Sequence, residues 1–183
     1  MKSQSKFQSN FIFLLSSLLL FSSVVFSQTS TKDKRIIKDS KLAKTEFIKA
    51  DKLMSNLFDN AYGYVIFPNV GKGGFGVGGA SGKGAVYQRG NLIGTAQLTQ
   101  ITVGFQAGGQ SYREVIFFES EKDLNRFKEN NIELSAQASA VVVTEGAAGN
   151  AKYKDGVMIF SHTKGGLMYE ASIGGQTFKY RPL

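Results

Sequence analysis

Residues 62–84 read YGYVIFPNVGKGGFGVGGASGKG, and the fold turns on how this stretch is taken. It opens as an apolar strand and breaks at Phe67-Pro68-Asn69. Glycine then alternates with Phe75, Val77 and Ala80, while Lys72 and Lys83 stand in glycine-rich turns. G-x-G-x-x-G occurs twice, at Gly71, Gly73 and Gly76 and at Gly74, Gly76 and Gly79. A dinucleotide site needs that motif to open a helix, with an acid some 20 residues later to hold the ribose. Here Phe75 and Val77 continue a strand, and no acidic residue stands between Asp59 and Glu114. Lys83 is followed by Gly84, so a Walker loop fails too, and no nucleotide is expected as partner. The same acid-free span leaves Lys72, Lys83, Arg89 and Arg113 without a local carboxylate. Backbone N–H groups in glycine-rich turns cradle phosphate oxygens, so a phosphate-bearing headgroup fits; ordinary surface cations at turns is the plain alternative.

Upstream, positions 36, 40, 43, 47, 50, 54, 57 and 61 read Ile, Ser, Ala, Phe, Ala, Met, Leu and Ala. This four-three spacing predicts one helix from Ile36 onward, its stripe widened by Ile37, Ile48 and Phe58. Lys38, Lys41, Lys44, Lys49 and Lys52 take the other side. Two readings stand: the stripe packs on the following sheet and the lysines are a solvated face, or the helix lies at a membrane interface. In the second, Lys41, Lys44 and Lys52 meet anionic headgroups while Phe47, Leu57 and Phe58 enter the acyl boundary. A helix that undocks does both.

Downstream, short runs of Val, Ile, Phe and Tyr recur between Gly, Asn and Ser turns, with hairpin turns expected at Arg89-Gly90-Asn91 and Gly174-Gly175. Ser120 followed by Glu121 to Lys128 predicts a short helix, N-capped, acidic in its first turn and apolar at Leu124 and Phe127. The expected fold is α+β: a mainly antiparallel, barrel-like curved β-sheet with an amphipathic N-terminal helix and a short central helix packed on it.

Residues 1–27 read as a secretory signal peptide: Lys2 and Lys6, an apolar run from Phe11 to Phe26, then Ser27 before the cut. A polar leader, 28–35, precedes a domain at 36–183. The formal charge of +8 would fall to +6 on cleavage, since Lys2 and Lys6 go and no acid does. A basic chain favours acidic partners. Without cysteine there are no disulfides, thiolate metal sites or lipoprotein anchor. His162, the single histidine, cannot complete a histidine zinc site and makes a poor triad; a strand-end position with a local hydrogen bond is expected. Glu114, Glu119, Glu121 and Asp123 crowd a strand-to-helix junction and read as helix N-terminal charge rather than a catalytic pair. No enzyme, metal or cofactor is expected, and aromatics at core spacing in an exported chain argue against nucleic acid.

These residues resemble the SYLF family, also called Ysc84-like or DUF500, over roughly Ile36 to Tyr180. The resemblance rests on Val65-Ile66-Phe67-Pro68-Asn69-Val70, Lys72-Gly73-Gly74-Phe75, Gly78-Gly79, Gly82-Lys83-Gly84, Gly104-Phe105-Gln106-Ala107-Gly108 and Lys164-Gly165-Gly166-Leu167. It implies a non-enzymatic lipid-binding module of the bacterial exported type, periplasmic or at the cell surface and peripheral to the membrane, with anionic phospholipid as partner. Lys72 and Lys83 become the headgroup contacts that the motif implies, joined by Arg89 and Lys164 as candidate lipid-binding residues. The competing structural reading is a small outer-membrane β-barrel of about eight strands.

Overall fold

A computed structural model describes residues 30–75, 77–103, 108–129, 139–164, 171–172 and 175–183. Helices α1 (Thr31–Ala50) and α2 (Met54–Asn60) come first. Strands β1 (Gly63–Phe75), β2 (Val77–Gln88), β3 (Asn91–Val103) and β4 (Gly108–Phe118) follow as a meander. Then come α3 (Glu121–Lys128), β5 (Ser139–Val142), α4 (Ala147–Asn150), β6 (Val157–Thr163), β7 (Ala171–Ser172) and β8 (Gln176–Pro182). The described strands run in the order β7-β5-β6-β4-β1-β2-β3-β8, and every pair is antiparallel except β5 with β6. The α+β class and the curved sheet hold, but the sheet is open. Among the described residues β8 pairs with β3 alone, so no ladder closes a barrel.

The glycine-rich stretch is one long hairpin. Phe67-Pro68-Asn69 does not end the strand, because three residues of β1 stand against two of β2 between the pairs Ile66↔Ala85 and Val70↔Gly82. A bulge of this kind tolerates proline and bends the strand. Lys72 and Lys83 therefore sit within β1 and β2, opposite Ala80 and Gln97, rather than in turns.

Curvature gives the sheet two buried faces. The concave face packs Val65, Phe67, Val70, Leu98, Ile116, Phe118 and Phe178 around Leu124 and Phe127 of α3. Ser120 caps α3 as expected, its hydroxyl accepting from the Asp123 N–H. The convex face packs Tyr64, Ile66, Val115, Phe117 and Phe160 beneath α1 and α2. A 20-residue helix is about 30 Å long and crosses six strands, whose five spacings of about 4.8 Å total about 24 Å. Its N-terminal end accordingly lies over β3 and β8, where Asp33 meets Arg181. Ser40 reaches the Ile66 carbonyl in β1 at 3.1 Å, and Glu46 pairs with Arg113 of β4.

Two boundaries differ from the expected helix. It starts at Thr31, inside the polar leader, because the Ser30 hydroxyl accepts the Asp33 N–H at 3.1 Å and caps the first turn. It also breaks after Ala50. The buried Asp51 carboxylate accepts from the Leu53 N–H at 3.0 Å and from the Ala148 N–H at 2.8 Å, so it serves a turn and α4 at once.

Candidate functional site

The expected lipid-binding residues stand in four places. Lys83 lies on the convex face beside the N-terminal end of α1. There Ser30, Lys32, Asp33, Lys83, Gln97, Lys179 and Arg181 line a cleft of about 440 Å³, together with Ile36, Thr95, Ala96 and Tyr180. Lys32 beside it holds the Lys83 ammonium below its ordinary pKa, with Arg181 adding to the effect and Asp33 opposing it. Like charges gathered this way favour an anion between them. Asp33, the acid in the cleft, is already held by Arg181 at 2.6 Å.

Lys164 follows β6, and its Nζ donates to Asn69 Oδ1 at 3.1 Å, the same oxygen that takes the Ser111 hydroxyl at 2.6 Å. Partial burial, and then Arg113, lower its pKa, while Asp39 raises it. Arg89 occupies the β2–β3 turn with φ of 48°, its guanidinium 5.0 Å from the Tyr62 ring. That is six residues from Lys83, roughly 20 Å of extended chain. Lys72 shares a rung with Ala80 and Gln110, on the concave face. The four cations therefore do not form one patch. Lys83 belongs instead with Lys32, Lys179 and Arg181, which come from the leader and the C-terminal strand. Their signal was modest but present: Lys179 and Arg181 alternate with buried Phe178 and half-buried Tyr180.

Of the helix residues, Lys41 and Lys52 are exposed and Leu57 is half-buried. Phe47 and Phe58 are buried in the convex-face core. Phe58 meets Tyr64 at 5.1 Å and Phe117 at 4.9 Å, and Lys44 Nζ lies 4.8 Å from the Phe58 ring. In the docked helix these two aromatics face the protein, and the outer side presents Lys34, Arg35, Lys38, Lys41 and Lys49 around Leu42, which is 58% exposed. The acids of α1 are withdrawn, Asp33 buried and Asp39 and Glu46 half-buried.

His162 stands near the end of β6 as expected, and its buried Nδ1 has no hydrogen-bond partner among the described residues. Its ring lies 6.0 Å from Phe47, and burial and then Arg113 depress its pKa, opposed by Glu46. Glu114 is not helix-terminal charge. It is fully buried on the concave face, 3.0 Å from the Gln176 amide. No described helix is long and apolar enough to cross a membrane. The convex face is covered by α1 and α2, and the open sheet does not fit the small outer-membrane barrel.

Residues 99–182 match the family model described as Ysc84, Las17-binding protein actin regulator. Residues 99–182 are a Ysc84 (SYLF) domain. That match takes in β4, α3, β6 and β8, which supply Ile116, Phe118, Leu124, Phe127, Ile159 and Phe178 to the concave core. The chain is also similar to "Beta cell expansion factor A" of Aeromonas veronii, 30% identical over 124 residues, which are 67% of this chain and 47% of the relative. It thus spans about half the length of that curated relative. The Ysc84 family is not a known enzyme family. The Gly104–Gly108 motif, most of Lys164–Leu167, most of the Leu167–Ile173 run and the signal-like stretch 1–27 lie outside the described residues, apart from Gly108, Lys164, Ala171 and Ser172.

Proposed function

We propose that the protein is an exported, non-enzymatic module that binds anionic lipid headgroups at a membrane surface, in the periplasm or at the cell surface. The observation that carries this reading is the outer face of docked α1, with Lys34, Arg35, Lys38, Lys41 and Lys49 exposed and no exposed acid among them. This face continues at its N-terminal end into the cleft of Lys32, Lys83, Lys179 and Arg181. Such a surface meets headgroups with α1 still on the sheet, and undocking of Phe47 and Phe58 is not needed. Leu42 is the apolar contact available to the interface. The signal-like stretch at 1–27 supports export, and the family supports lipid binding over catalysis.

Co-sedimentation with phosphatidylglycerol-containing and pure phosphatidylcholine vesicles tests the reading. Binding is expected to the anionic vesicles alone and to weaken with salt, as screening shortens from about 10 Å at 0.1 M. A basic residue near an anionic surface contributes about 1 kcal/mol, so Lys34→Glu, Lys38→Glu and Lys41→Glu together should cost at least about tenfold in affinity. Equal binding to both vesicles overturns the reading.

A further inference from the structure

Glu114 is enclosed without a counter-charge. Its cross-strand neighbours are Phe67 in β1 and Ser161 in β6, and Tyr112 precedes it on the same face of β4. From β8, Gln176 Nε2 donates to its Oε2 at 3.0 Å. β4 and β8 are separated in the sheet by β1, β2 and β3, so this bond crosses the concave interior instead of running along a ladder. Among the described residues Glu114 Oε1, Ser161 Oγ and Gln176 Oε1 are buried and make no hydrogen bond, and the buried Tyr112 hydroxyl lies beside the Gln176 amide. From α3 come the apolar Leu124 and Phe127. Lys72, the cation on the concave face of β1, stands at the Gln110 rung, two same-face positions away from Glu114 along β4. None of the ion pairs among the described residues includes Glu114.

An ionised carboxylate here is desolvated and opposed by no cation among the described residues; the Gln176 N–H favours the charge but does not replace the lost hydration, so ionisation draws water into the concave interior, which accommodates the neutral acid. We propose that Glu114 and Gln176 form a proton-dependent latch: the protonated acid holds β8 across the concave face, and loss of that proton frees the inner side of β8. Burial pushes the Glu114 carboxyl up from 4.5 to about 7, a rise that the Gln176 hydrogen bond moderates. A carboxyl whose folded pKa is raised binds more protons folded than unfolded, so its stabilisation is complete below pH 4.5 and is lost as pH rises through about 7. β8 also carries Lys179 and Arg181 on its outer side, so release loosens one wall of the cationic cleft. The latch stands independently of lipid binding, since its readout is on the free protein.

Amide hydrogen exchange at Thr177 to Arg181 and thermal unfolding, each followed from about pH 5 to about pH 8.5, test the latch in the full chain and in Glu114→Gln. After correction for the intrinsic rate, protection of β8 is expected to fall at least about tenfold in the native protein and to stay level in Glu114→Gln. An equal fall in both overturns the proposal. His162, with its pKa lowered from 6.5, acts in the opposite sense, and His162→Gln in both backgrounds separates the two. Should Glu114→Gln fail to fold, carboxyl ¹³C titration of the native protein decides: one glutamate titrating near 7 supports the latch, and all glutamates titrating below about 5 overturn it.

Discussion

Gly71 and Gly84 belong to one motif and are glycine for different reasons. A Cβ on Gly84 would stand 2.5 Å from the Ile66 carbonyl oxygen and 2.8 Å from Phe67 Cδ1, whereas one on Gly71 would meet nothing within 4 Å. The crowding falls where β2 passes the bulge at Phe67-Pro68-Asn69. Gly84→Ala should therefore cost about 1–3 kcal/mol, in the range of overpacked cores, and Gly71→Ala should stay within about 0.5 kcal/mol. Urea unfolding with an unchanged m-value checks both. The sequence showed the glycines and the proline but not which glycine faces the bulge. Glu114 was hidden in a similar way. It is in phase with Tyr112, Ile116 and Phe118, an alternation that marks it as inward-facing, yet three acids crowding after it made a helix-terminal role look sufficient.

At the scale of elements, the α1 stripe was legible because Ile36, Ser40, Ala43 and Phe47 repeat with helical spacing and all four are buried. The break at Asp51 was not, since the spacing runs on in phase through Met54 and Ala61. What holds the break is the Asp51 carboxylate, which takes the local Leu53 N–H and, 97 residues away, the Ala148 N–H. Asp51→Ala leaves that buried N–H without an acceptor, and a loss of about 1–3 kcal/mol is expected. An unchanged stability would show that the Asp51 carboxylate does not hold the break. Phe47→Ala removes the side chain that pins α1 over β6, and should cost about 3–5 kcal/mol as other large-to-small core changes do. The same variant should raise amide exchange along α1 before the sheet melts, because Phe47 belongs to the helix–sheet contact rather than to a ladder.

At the scale of the whole molecule, the cationic surface was only half legible. Lys41 and Lys52 stand outward as their helical spacing predicts. The cleft, however, gathers Lys32, Lys83, Lys179 and Arg181 from the start, the middle and the end of the domain, and only the sheet order brings β8 beside β3 under the start of α1. The same order joins the two cores. β1 sends Val65 and Phe67 inward and Tyr64 and Ile66 outward, and β4 sends Ile116 and Phe118 inward and Val115 and Phe117 outward. A strand cannot lose one set of side chains and keep the other in place, so both faces should unfold in one cooperative step. Phe127→Ala strikes the concave core and Phe47→Ala the convex one, each costing about 3–5 kcal/mol. With about 2–4 °C lost per kcal/mol for a chain of this size, both should lower a single melting transition by roughly 6–20 °C. Calorimetric and van't Hoff enthalpies should agree in each variant; a second transition appearing in either would show that the sheet does not couple its two faces.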